Sequence, residues 1–181
     1  VFGFALTLLV VSLEVPDRNG KLGDITLGYD ALAGWVGDTS YQGSTVGRYG
    51  NRIARGQFTL QGREYRVDCN EGGNHLHGGQ HGWDSRVWEA DAGEASVTFR
   101  TRSAPGEMGF PGGCAVTSTY TLLGRSLRIT MEAIPSETTV INMVHHSYFN
   151  LAGHASGNVL RQRMRLSSDY YTPVDEALLA T

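Results

Sequence analysis

Apolar and polar residues alternate one by one through several stretches of this chain, the period-2 pattern of a strand with one face toward a core and one toward water. Ser96-Val97-Thr98-Phe99-Arg100 alternates cleanly, and so does Val116-Thr117-Ser118-Thr119-Tyr120-Thr121-Leu122. Leu123-Gly124-Arg125-Ser126 then turns the chain into residues 127–134. There Leu127, Ile129, Met131 and Ala133 share one face, and Arg128, Thr130 and Glu132 share the other. Upstream, Gln57-Phe58-Thr59-Leu60 and Glu64-Tyr65-Arg66-Val67 flank Gln61-Gly62, a hairpin signal. No window carries a helical stripe. The pattern predicts an all-β chain built on a meander with one wet face, and Gly-rich turns between many strands argue for a sandwich or a barrel. The opening residues 1–13 are apolar but fall short of the roughly 20 needed to span a bilayer, and no basic segment precedes them. They predict a buried strand running into a turn over 14–20. No repeat, low-complexity tract or linker interrupts the chain, so a single domain over 1–181 is expected.

Composition narrows the class. With 40% hydrophobic and 18% charged residues the chain is not intrinsically disordered. Its 24 glycines lack a Gly-X-Y period, which excludes collagen. A net charge of −3 gives no global pull toward nucleic acid. Neither a nucleic-acid nor a membrane partner is expected, a cytoplasmic location is favoured, and the oligomeric state is left open. Cys69 and Cys114 belong to no CxxC pair, so each is expected to be a buried free thiol.

Polar chemistry concentrates in three places. All six histidines fall in two clusters, 74–82 and 144–154. His75-x-His77 has the strand spacing that puts two imidazoles on one face, as a cupin-type metal site requires. A second reading makes His75, His145 and His154 core histidines with satisfied hydrogen bonds, and His81 a solvated loop residue. A third is acid–base chemistry without a metal, because imidazole exchanges protons near neutrality. The third place is 46–56, where Asn51 and Arg52 offer a dense set of donors suited to polyol hydroxyls. The competing reading there is an Arg-rich solvated hairpin.

Taken together, several stretches resemble the aldose 1-epimerases, or galactose mutarotases. They are Val15-Pro16-Asp17 with Gly20-Lys21-Leu22-Gly23-Asp24, Leu27-Gly28-Tyr29, Gly47-Arg48-Tyr49-Gly50-Asn51-Arg52-Ile53-Ala54, Asn74-His75-Leu76-His77-Gly78-Gly79, Gly106-Glu107-Met108-Gly109-Phe110-Pro111-Gly112, His146-Ser147-Tyr148-Phe149-Asn150-Leu151-Ala152-Gly153 and Pro173-Val174-Asp175-Glu176. The resemblance implies a large antiparallel β-sandwich that binds a small-molecule aldose and needs neither metal nor organic cofactor. It implies interconversion of α and β anomers by ring opening and reclosure. His146 matches the proton donor to the ring oxygen, and His77 the second histidine at that oxygen. Asn51 and Arg52 match sugar-contacting positions, and Tyr148, two residues beyond His146, is expected to wall the pocket. Glu107 lies in a matching motif without an assigned role. The family's glutamate base lies in a later part of a longer chain, so the resemblance implies an epimerase domain truncated at its C-terminus. It leaves a non-catalytic carbohydrate-binding fragment as the alternative.

Overall fold

The computed structural model describes residues 8–181. Positions 1–7 of the strand expected over 1–13 therefore lie outside the described residues. From Leu8 onward no strand forms before β1 (Glu14–Pro16). The backbone of 9–13 is satisfied piecemeal instead. Leu9 bridges Ser44, Val10 N–H donates to the Gly43 carbonyl, and Leu13 N–H donates to Asp24 Oδ1. The later strands are β2 (Leu22–Asp24), β3 (Thr45–Val46), β4 (Arg52–Ile53), β5 (Gln57–Leu60), β6 (Arg63–Arg66) and β7 (His75–Leu76). They continue with β8 (Glu89–Ala92), β9 (Ser96–Ser103), β10 (Cys114–Leu123), β11 (Ser126–Pro135) and β12 (Val144–His145). One five-residue helical turn, α1 (Leu32–Val36), is added, and the ladders β1–β2, β4–β7, β5–β6, β8–β9, β9–β10 and β10–β11 are all antiparallel. The fold class is all-β, as the alternation predicts. Among the described residues no helix is long and apolar enough to cross a membrane.

The described chain divides into two compact units. In the first, Val46–Val144 with Leu8, the expected meander is present as a four-stranded sheet in the order β11-β10-β9-β8. Register places Val97 and Phe99 beside Tyr120 and Ser118, and those beside Ile129 and Met131. Phe99 meets Tyr120 edge-on at 6.0 Å between ring centres. The opposite face carries a threonine row, Thr98–Thr119–Thr130, with Arg128 and Glu132 exposed. Alternation thus sorts side chains by face over residues 114–121 of β10 and 126–134 of β11. The hairpin β5–β6 turns at Gln61-Gly62, both with positive φ (50° and 77°), the conformation of a two-residue primed turn. A second apolar centre packs Ile53, Val67 and Phe110, with Tyr49, Phe58, Met108 and Val140 against it.

The second unit, Leu9–Thr45 with His145–Thr181, is held more by turns than by ladders. Asp17 Oδ1 accepts from the N–H groups of Asn19 and Lys21 and closes the β1–β2 hairpin. Asp24 Oδ1 accepts from Leu13 N–H, Thr26 N–H and Thr26 Oγ1. Leu27 N–H donates to the Tyr148 carbonyl, Asn150 N–H to Ile25 and His154 N–H to Asp24, so 24–27 and 148–154 run side by side.

Candidate functional site

In the first unit the sequence Glu71-Gly72-Gly73-Asn74 makes a tight turn. Gly72 and Gly73 both have positive φ (54° and 86°), and Glu71 and Asn74 exchange backbone hydrogen bonds. The chain leaves this turn as β7, where Arg52 pairs with Leu76 and Ile53 with His75. Alternation sends His75 inward. Its ring is fully buried, edge-on to Phe110 at 5.1 Å, with Nδ1 2.7 Å from the Asp68 carbonyl oxygen. Burial lowers its pKa, so it is a neutral core histidine. At His77 the ladder ends, because its backbone is left-handed (φ 52°). The ring turns to the loop before β4, where Asn51 N–H donates to His77 Nδ1 at 3.0 Å. The expectation that His75-x-His77 puts two imidazoles on one face fails for this reason. Among the described residues no group of three or more His, Cys, Asp or Glu is placed to hold a metal ion.

Arg52, the strand partner of Leu76, is half-buried and held side-on by one carboxylate. Its Nε donates to Glu71 Oε2 at 3.1 Å and its Nη2 to Glu71 Oε1 at 2.7 Å. The hydrogen bonds from Arg52 lower the Glu71 pKa, and the same bonds raise that of Arg52. The His77 charge also acts on Glu71 in the lowering direction.

The reading of 46–56 as a solvated Arg-rich hairpin is overturned at Arg48, which is 2% exposed. Its Nη1 donates to the carbonyls of Pro111 (2.7 Å) and Gly112 (2.8 Å), its Nη2 to Ser103 Oγ (2.6 Å), and its guanidinium lies over the Phe110 ring. Ser103 in turn donates to Glu107, and Glu107 is ion-paired with Arg86. Glu107 therefore belongs to a supporting network. Cys114 is a buried free thiol as expected, whereas Cys69 is a free thiol but exposed. It follows Val67, the last side chain of that segment to enter the core. His81 is an exposed loop residue, as expected.

In the second unit His146 is set by two backbone bonds: Gly43 N–H donates to its carbonyl and its own N–H donates to Ser44. The ring is half-buried between two tyrosines, with Tyr148 at 5.2 Å and Tyr41 at 6.0 Å between centres. Tyr148 lies beyond β12 and not on a strand, yet its ring stands next to His146, and its hydroxyl donates to the Ser40 carbonyl at 3.2 Å. His145 has Nε2 2.7 Å from Ser147 Oγ, and burial followed by the neighbouring His146 charge pushes its pKa down to about 4. His154 Nδ1 lies 2.8 Å from the Thr26 carbonyl oxygen. The predicted site residues thus form one cluster in each unit: Asn51, Arg52 and His77 in the first, His146 and Tyr148 in the second.

Comparison with known proteins gives these clusters a context. The family model "Aldose 1-epimerase" matches residues 9–181. The chain belongs to the aldose 1-epimerase family. It is 43% identical to galactose mutarotase from Bos taurus over 172 residues, covering 95% of this chain and 50% of that protein. It is 39% identical to aldose 1-epimerase from Haemophilus influenzae, covering 91% and 48%. Among solved structures it resembles the aldose epimerase homologue from C. elegans, with TM-score 0.86, 30% identity, and 96% of this chain and 53% of that one covered. It also resembles galactose 1-epimerase from Lactobacillus acidophilus, with TM-score 0.73, 28% identity, and coverage of 88% and 48%. The chain spans about half the length of the curated relatives it matches. Two residues of this family member's clusters escaped the sequence reading. Glu71 could have been found, since a carboxylate opening a Gly-Gly turn just before β7 lies close to Arg52, the residue paired with that strand. Tyr41 could not, because its neighbour His146 is more than a hundred positions away.

Proposed function

We propose that this chain carries the aldose 1-epimerase function of its family, interconverting the α and β anomers of free aldohexoses such as galactose and glucose. The observation that carries this reading is the His77 ring, fixed through Nδ1 by the Asn51 amide within a few residues of the Arg52 guanidinium. A neutral imidazole that accepts at Nδ1 bears its proton on Nε2. His77 then acts as a hydrogen-bond donor toward the sugar, not as a base. His146 is the general acid that protonates the ring oxygen as the C1–O5 bond opens, and it recovers the proton on reclosure; such a positioned group typically contributes roughly 10²–10⁴-fold. Asn51 and Arg52 recognise sugar hydroxyls, and Tyr148 walls the site beside His146. The base that takes the anomeric proton is, by family resemblance, a glutamate of the later part of the domain. No metal or organic cofactor enters these steps.

Polarimetry of freshly dissolved α-D-galactose, paired with calorimetric titration of galactose, tests the reading. With the later, glutamate-bearing part of the domain present, accelerated mutarotation that His146→Ala abolishes is the expected result. Saturable binding without acceleration assigns the chain a carbohydrate-binding role instead. Absence of both overturns the proposal.

A further inference from the structure

Arg52 has five N–H donors, and Glu71 takes two of them, Nε–H and one on Nη2. Three remain, two on Nη1 and one on Nη2, on a side chain that is 15% exposed. The carboxylate that holds the group is itself fixed. Glu71 opens the Gly72-Gly73 turn by exchanging backbone bonds with Asn74, and Asn74 Oδ1 accepts from Arg55 N–H at 2.9 Å. Next to it, Asn70 Oδ1 accepts from Leu76 N–H while Asn70 Nδ2 donates to the Leu76 carbonyl, and Leu76 is the strand partner of Arg52. Arg52 and its counter-ion therefore sit on two backbone segments tied to one another. A side-on carboxylate–guanidinium pair fixes the plane of the fork as well as its position. It also cancels the charge: the fork offers donors with no net positive charge behind them.

We propose that Glu71 is a positioning and specificity-determining residue. It fixes the plane of Arg52 and neutralises it, so that the remaining donors recognise the hydroxyls of a neutral sugar and do not select one bearing phosphate or carboxylate. This inference rests on the aldose-binding reading of Arg52. A free guanidinium at that place would favour an anionic substituent, since Arg pairs with phosphate and carboxylate through the same two-pronged geometry that Glu71 occupies.

The test is calorimetric titration of the full chain with D-galactose and, separately, with D-galactose 6-phosphate. Wild type, Glu71→Gln, Glu71→Asp, Arg52→Ala and the Glu71→Gln/Arg52→Ala double variant are compared, each checked for its fold by circular dichroism. Glu71→Gln is expected to weaken galactose binding about tenfold and to shift the galactose-to-phosphosugar preference at least about fivefold toward the phosphosugar. Glu71→Asp, which keeps the charge, is expected to retain the wild-type preference with weaker binding. The double variant is expected to bind galactose no more weakly than Arg52→Ala alone, because Glu71 acts through Arg52. Galactose affinity unchanged in Glu71→Gln, an unshifted preference, or losses that simply add in the double variant would each overturn the role of Glu71 while leaving the epimerase reading intact. Should Glu71→Gln not fold, a changed preference in Glu71→Asp overturns it in the same way. Wild type that does not bind galactose at all overturns the epimerase reading, and this inference with it.

Discussion

The backbone amide of Asn51 donates to Nδ1 of His77 at 3.0 Å, so one main-chain proton sets the tautomer of a side chain 26 positions away. Long-range ¹H–¹⁵N correlation spectra of the neutral protein should show a protonated Nε2 and a bare Nδ1 for His77. Asn51 has φ 68°, which glycine adopts without strain. Asn51→Gly should therefore leave the His77 tautomer unchanged while weakening galactose binding through loss of the side-chain amide. A ring that switches to the Nδ1–H form in wild type would contradict both the assignment and the donor role built on it.

Asp84 is a buried carboxyl whose Oδ1 has no hydrogen-bond partner, and burial raises its pKa to about 6. Its unfolded value is about 3.9. The folded state thus holds the proton more tightly, a contribution fully present below about pH 4 and lost as pH rises through 6. Asp84→Asn, which does not titrate, should gain stability relative to wild type by on the order of 2 kcal/mol between pH 4 and pH 8. Urea unfolding midpoints at the two pH values measure it. A constant difference across that range would refute the assignment.

His145 has the opposite sign. Its folded pKa of about 4 lies below the unfolded value of about 6.5, so the unfolded chain takes the proton first as pH falls. The favourable contribution is complete above about pH 6.5 and disappears toward pH 4. Relative to His145→Gln, wild type should lose on the order of 3 kcal/mol over this window, and its imidazole C2–H signal should titrate near pH 4.

Two glycines separate backbone freedom from space. Gly62 has φ 77° at the tip of the β5–β6 hairpin, and an added Cβ would meet nothing. Gly62→Ala should cost about 1 kcal/mol, the left-handed penalty alone. Gly78 has φ 100°, and its added Cβ would collide with the Gly47 carbonyl. Gly78→Ala should cost at least about 3 kcal/mol and displace the adjacent His77 ring, visible as loss of its fixed tautomer. Equal urea midpoints for the two variants would remove the steric argument.

The meander was legible because alternation is a local signal and a strand with one wet face writes it directly. β9, β10 and β11 extend a few residues beyond the alternating stretches but keep their faces. β8 was invisible because all four of its residues are exposed and leave no pattern. The geometry of the candidate site was less legible. His77 leaves the strand period because its backbone turns left-handed, which no spacing rule anticipates. Arg48 looked like a surface cation, and its burial depends on carbonyls 63 and 64 positions away. Cys69 departs from the general tendency of thiols to be buried, because it lies two residues past Val67, the last core side chain of its segment.

The ladder between β4 and β7 is two residues long on each strand. One pair, Ile53 with His75, is anchored against Phe110; the other, Arg52 with Leu76, carries the guanidinium proposed to recognise the sugar. With so short a lever there is no slack between them. Shaving Phe110 to a smaller residue would reach the ligand as a tilt of the Arg52 fork, so drift in this core is paid out in altered selectivity before any loss of folding. Sugar preference among related chains would then vary with residues that no sugar touches.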